Sequence, residues 1–163
     1  MSDSHVFITL KDISKSFNGS YVLKNINEEI STGEVFGLIG RSGAGKSVLI
    51  NMLRGTPEYH PDSGNVVYHV DYCEKCGWVE LPGTGKCTIC GGSVEHRDID
   101  FWNTDDLDPI KKQLRSRIAI MLQRTFSLFG DMTVIENVFE ALPQDMDENL
   151  KVDKALKLLK SVR

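Results

Sequence analysis

Residues 40–47 read G-R-S-G-A-G-K-S, preceded by the apolar run Val35–Ile39 and followed by the apolar-rich stretch Val48–Leu53. Few eight-residue patterns constrain a chain as tightly. The order predicts a strand, a glycine loop and a helix beginning near Lys46. A polyphosphate is held by backbone N–H groups at close range, where side chains obstruct, so glycines stand at Gly40, Gly43 and Gly45 with the small residues Ser42 and Ala44 among them. The helix aims its free N–H groups and positive dipole end at the same anion. Lys46 adds a point charge for the β- and γ-phosphates, and the Ser47 hydroxyl is suited to ligate Mg²⁺. Nucleotide binding is the first expectation.

A second pattern lies between residues 71 and 92. Cys73-Glu-Lys-Cys76-Gly and Cys87-Thr-Ile-Cys90-Gly are two C-x-x-C-G units separated by the ten residues Gly77–Lys86. Two thiolates three positions apart can curl around one metal, and Gly77 and Gly91 allow the left-handed backbone that turns N–H groups toward sulfur. Four thiolates complete a closed tetrahedral site, which predicts structural Zn²⁺. Iron in a rubredoxin-like site, an Fe–S cluster and redox-active thiols remain alternatives for a Cys₄ set. About 20 residues bury too little core to fold unaided, so metal binding is expected to fold this excursion. With four cysteines available, His69 and His96 read as ordinary strand residues, and Trp78 reads as a packing residue.

The surrounding chain predicts strands over Val6–Phe17 and Tyr21–Ile30, paired across an Asn18-Gly19 turn. Further short strands are expected over Asn65–Val70 and Ser93–Trp102, making the cysteine segment an excursion from a hairpin tip. Asp105–Arg117 predicts a helix with acidic residues early and basic residues late. Ile118–Leu122 predicts a buried strand leading into Gln123, and Thr133–Leu142 and Glu148–Val162 predict helices. In the last of these, Val152, Ala155, Leu156 and Leu159 recur at helical spacing and are expected to pack. Nineteen basic against 23 acidic residues give a net charge of −4 with no basic run, so nucleic acid is not an expected partner. No export signal and no long apolar stretch occur in the sequence, which predicts a cytoplasmic protein without direct membrane insertion. That setting also favours metal ligation over disulfides.

An aromatic upstream of the glycine loop, then GRSGAGKS, then a Gln after a short apolar strand and FSLFGDMTVIENV beyond it, resembles the nucleotide-binding domain of ABC-type ATPases. The resemblance implies an α/β P-loop NTPase fold with an antiparallel β subdomain and a partial parallel core, here carrying an inserted Cys₄ zinc-ribbon-like module. It implies that Phe17 stacks on adenine, with Tyr21 as the competing aromatic. It also implies that Gln123 touches Mg²⁺ and the attacking water. At Val48 the family pattern has Thr, so one hydroxyl to the α-phosphate is missing, worth on the order of 1 kcal/mol.

The family's signature motif, acidic catalytic strand and switch His are not among the 163 residues. The expectation is therefore an N-terminal part that binds ATP without turnover, exposes apolar surface and works with a second ABC domain in cis or as a dimer. The segments NMLRG, CEKCGWVELP, HRDIDFWN and SRIAIMLQRTF together resemble the component A2 family of the methyl-coenzyme M reductase activation system of methanogenic archaea. That resemblance implies coupling of ATP to activation of methyl-coenzyme M reductase and contact with its activation complex. The rival readings are the ATP-binding subunit of a membrane ABC transporter and a zinc-containing DNA-repair ATPase. The second rival needs a basic surface, whereas the ribbon carries Asp71, Glu74, Glu80 and Glu95 against Lys75, Lys86 and Arg97.

Overall fold

The computed structural model describes residues 4–120, 128–142 and 146–162. The chain divides into two compact units, Met1–Ala119 and Ile120–Arg163.

The first unit is built on an antiparallel sheet. Strand β1 (Val6–Phe17) turns at Asn18-Gly19 into β2 (Ser20–Ser31), and the two pair along their length. Asn18 and Gly19 both have positive φ, 51° and 77°, the requirement of the tight turn that the Asn-Gly pair predicts. Strand β3 (Ser63–Tyr72) pairs with the other edge of β1, and β5 (Glu95–Asp100) pairs with β3 from Val67↔Asp100 to Tyr72↔Glu95. The short β4 (Val79–Glu80) lies against the end of β3 inside the cysteine excursion. The excursion therefore leaves the tip of the β3–β5 hairpin, as the alternation on either side of it predicts.

Alternation along β3 sorts the two faces of this sheet. Val66, Tyr68 and Val70 are buried, together with Leu10, Ile13 and Ile99 from the neighbouring strands, while His69 and Val67 look the other way. The apolar face packs on helix α1 (Lys46–Arg54) through Leu49 and Met52, and on helix α2 (Pro109–Arg117) through Ile110 and Leu114. The Tyr68 hydroxyl donates to the Leu53 carbonyl at 2.7 Å, tying the sheet to the C-terminal turn of α1, and burial pushes its pKa well up. Asp108 caps α2 by accepting from the Ile110 and Lys111 amides.

Two expectations fail here. Val35–Ile39 carries no strand, and Val35 and Ile39 are fully exposed, at 97% and 101%. Ile118–Ile120 also has no regular structure, and residues 121 and 122 lie outside the described residues. Every strand pairing among the described residues is antiparallel, so the partial parallel core is not formed there. The physical reason is that a parallel strand is held only by neighbours on both edges and cover on both faces. An apolar run of five has no ladder of its own, and no described strand lies beside it.

The second unit contains α3 (Val134–Glu140) and α4 (Glu148–Ser161). A capping box starts α3, with Thr133 and Glu136 bonding each other's backbone amides. Asn137 ties down the preceding loop through the Phe129 amide and the carbonyls of Phe129 and Met132. In α4 only Ala155 is fully buried; Val152 and Leu156 are exposed, contrary to the packing expected of them.

Candidate functional site

Helix α1 begins at Lys46 with Gly45 as its N-cap, and no side chain caps it. Its first amides are thus left for an outside acceptor. Gly45 has φ 84°, and a Cβ there would stand 2.9 Å from both the Leu23 side chain and the Val22 carbonyl of β2. Both the left-handed backbone and the close approach of β2 demand glycine at this position. Lys46 Nζ donates to the carbonyls of Gly40 and Arg41, at 2.7 and 2.9 Å, so its cation already sits over the loop. Ser47 is exposed, and Val48 packs against the apolar core. The chemistry fits a polyphosphate: an exposed loop, uncapped amides, a cation and a hydroxyl within three residues.

Phe17, at the end of β1, is 40% exposed and meets Tyr59 edge-on with ring centroids 6.2 Å apart. The competitor Tyr21 is more exposed, at 63%, and lies near the Lys24 ammonium. Phe17 is also braced from below. Asp62 accepts from Lys15 Nζ at 3.0 Å and from the Ser16 amide and hydroxyl at 2.7 and 2.6 Å. The Ser16 hydroxyl, then Lys15, hold the Asp62 carboxyl down at about 2.

The four cysteines come together. Cys73, Cys76, Cys87 and Cys90 have sulfurs all within 4.8 Å of one another, with Cys73–Cys90 at 3.6 Å and Cys76–Cys87 at 3.5 Å. Sulfurs bound at ~2.3 Å around tetrahedral zinc are ~3.8 Å apart, so the cluster has the size of such a site. Each knuckle closes in the same way. The Gly77 amide donates to the Cys73 carbonyl and the Gly91 amide to the Cys87 carbonyl, with φ of 70° and 67° at the two glycines. Burial raises the Cys73 thiol, but the Cys76 amide and the Cys90 and Cys76 side chains outweigh it and lower the group to about 7. At Cys76 the Trp78 amide pulls down, while burial and three neighbouring sulfurs push harder, raising it to about 12. Four sulfurs this close are the donor set of a closed metal site.

The module is seated on α2. Gln113 accepts from the Val79 amide and donates to the Gly77 carbonyl, and Arg117 donates to the Val79 carbonyl while its guanidinium lies 4.0 Å from the Trp78 ring centre. Trp78 packs, as expected, and does so through a cation–π contact.

Comparison with known proteins gives a match to the ABC transporter family over residues 23–163. The chain belongs to the ABC ATP-binding family. An uncharacterized ABC transporter ATP-binding protein of Methanocaldococcus jannaschii is 45% identical over 161 residues, covering 97% of this chain and 29% of that protein. The methionine import ATP-binding protein MetN 2 of Oenococcus oeni is 34% identical over 167 aligned residues, covering 99% of this chain and 39% of that protein. A probable amino-acid ABC transporter ATP-binding protein of Haemophilus influenzae is 30% identical over 158 residues, covering 95% and 50%. The chain thus spans half or less of these relatives. ABC domains bind ATP with Mg²⁺ and pair with a second ABC domain or with permease partners. Among the described residues of this ABC domain, no helix is long and apolar enough to cross a membrane.

Gln123 lies outside the described residues. His69 and His96 lie on strands β3 and β5, as expected, and are joined there by an acidic partner. His69 and His96 stack across β3 and β5 with centroids 6.0 Å apart, and both bond Asp98. The signal was present as two His-x-Asp dyads, His69-Val70-Asp71 and His96-Arg97-Asp98, which antiparallel pairing sets opposite each other. Only the register reveals it, because no spacing within one strand does.

Proposed function

We propose that this ABC domain provides the ATP-gripping half of a composite ATPase site that energises a membrane transporter, and that its cysteine module is held by structural Zn²⁺. The observation that carries the reading is the uncapped start of α1 with Lys46 folded over the loop carbonyls. In this reading the amides from Gly40 through Val48 wrap the phosphates, including those of Ser42, Gly43, Ala44 and Gly45. Lys46 leaves its two carbonyls for the β- and γ-phosphates, and the Ser47 hydroxyl and Gln123 face Mg²⁺. Phe17 gives the adenine its stacking surface, held at its angle by Tyr59 and by the Asp62 brace. When bound, Mg-ATP supplies the phosphoryl group. The residues of this chain grip and orient it, and a second ABC domain completes the site.

The transporter reading is favoured by relatives whose names state methionine import and a probable amino-acid transporter. A second reading, ATP-driven activation of methyl-coenzyme M reductase, is supported by the 45% identity to an archaeal protein over three times as long as the matched segment. That length leaves room for a second ABC domain in the same chain. On either reading Cys73, Cys76, Cys87 and Cys90 take one Zn²⁺ with no open position.

Equilibrium binding of ATP with Mg²⁺, with turnover read in the same sample, tests the shared core of both. Lys46→Ala is expected to abolish binding, and the 163-residue chain to show no turnover. Binding unchanged in Lys46→Ala overturns the site. With the longer protein, stimulation of ATPase activity by permease-containing vesicles favours transport, and stimulation by methyl-coenzyme M reductase with its activation complex favours the second reading.

A further inference from the structure

The outer face of the β3–β5 hairpin carries a second constellation with metal-ligand chemistry, separate from the cysteines. His69 pairs directly across from Asp98, and Asp71 directly across from His96, so two His-x-Asp dyads cross on one face of the sheet. Asp98 Oδ1 stands 2.7 Å from His69 Nδ1 and 2.9 Å from His96 Nε2. The three donor atoms converge within 4.8 Å.

The outer nitrogens of both rings are already engaged. His69 Nε2 is 2.8 Å from the Thr9 hydroxyl on β1, and His96 Nδ1 is 3.4 Å from Asp71 Oδ1. Asp71 is itself fixed, since its other oxygen accepts from the Gly83 and Thr84 amides at 3.0 and 3.1 Å. A ligating imidazole commonly donates its remote N–H to a hydroxyl, carbonyl or carboxylate, which sets the tautomer and aims the ring. Here both rings have that partner in place, and both aim their free nitrogen at the same carboxylate.

We propose that His69 Nδ1, His96 Nε2 and the Asp98 carboxylate form a second metal site, which takes a divalent transition ion of the imidazole-preferring kind such as Zn²⁺. The ion is held by the inner nitrogens of two neutral imidazoles, each of which donates its single N–H outward, to Thr9 or Asp71. Two nitrogens and a carboxylate leave at least one position for water, unlike the closed cysteine site. Bound there, the ion bolts β3 to β5 at the root of the cysteine excursion.

The test is the amount of Zn²⁺ retained by the intact chain after dialysis against micromolar Zn²⁺, measured by mass spectrometry for the native sequence, His96→Ala and Asp98→Asn. Both altered side chains are more than half exposed, at 55% and 61%, so the sheet is expected to fold in each variant. The native chain is expected to retain one more Zn²⁺ than either variant. The same difference of one is expected in a Cys76→Ser background, which separates this site from the fate of the cysteine cluster. If the cysteines hold nothing, the native count falls from two to one and the difference persists. Thr9→Val, which removes only the outer partner of His69, is expected to weaken this ion's affinity about tenfold or more. Equal zinc content in the native chain and His96→Ala overturns the proposal. So does a Zn²⁺ titration that leaves the ring ¹⁵N resonances of His69 and His96 unmoved.

Discussion

The cysteine excursion and the segment leading into the phosphate loop are both short, both glycine-punctuated and both shaped to hold a charged guest, yet they differ in how much they settle by themselves. Between Cys73 and Gly92 the backbone closes on itself twice: Cys73 N–H meets the Trp78 carbonyl, Cys87 N–H meets the Gly92 carbonyl, and both knuckle glycines donate back. Glu80 accepts from the Thr88 amide and hydroxyl, stitching the two knuckles together. Val35–Ile39 has none of this. Val35 and Ile39 stand in solvent, and only Leu38 of this run packs against the core, because a parallel strand takes its hydrogen bonds from distant parts of a chain. Local closure makes one guest site complete within 20 residues; non-local closure leaves the other's supporting strand unformed.

Four measurements break or sharpen that contrast. The largest effect is expected from Cys76→Ser. On the proposal of structural Zn²⁺, loss of one of four sulfurs removes the ion, so amide exchange protection over residues 71–92 should collapse while ATP binding at Lys46 stays nearly intact. Joint loss of both would show that the two regions fold as one.

Gly45→Ala comes next. A methyl group in left-handed backbone, pressed on Leu23 and the Val22 carbonyl, is expected to cost about 1–3 kcal/mol and to reduce ATP affinity, with zinc content unchanged. Tyr68→Phe leaves the Leu53 carbonyl at the end of α1 without its buried donor. Denaturant unfolding should show a loss of about 1–2 kcal/mol with little change in nucleotide affinity.

The smallest effect is in pH. The folded Asp62 carboxyl is lowered to about 2 from its ordinary 3.8. Its contribution to stability is therefore fully present above the ordinary value and is lost as pH falls from about 4 through about 2. Asp62→Asn should flatten that part of the acid-unfolding curve, and a curve unchanged by the substitution removes the brace under Phe17 from the account.

Local chemistry was legible in the sequence, and non-local geometry was not. Asn18-Gly19 marked its hairpin, Thr133 and Glu136 marked the start of α3, and the C-x-x-C-G spacing brought four sulfurs together. Each signal lies within a few residues of what it specifies. Val35–Ile39 and Ile118–Leu122, the latter described only to Ile120, read as strands on hydrophobicity alone, but a strand exists only with its neighbours. Val152 and Leu156 fail for the same reason, since helical spacing names a face and not what covers it. The pairing of His69 with Asp98 and of His96 with Asp71 depended on a register spanning more than 20 residues, which no local pattern encodes.

Gln113 and Arg117 grip residues 77–79 from the last two turns of α2, before that helix gives way to Ile118. The cysteine module is therefore clipped to one face of α2 by two side chains a single turn apart.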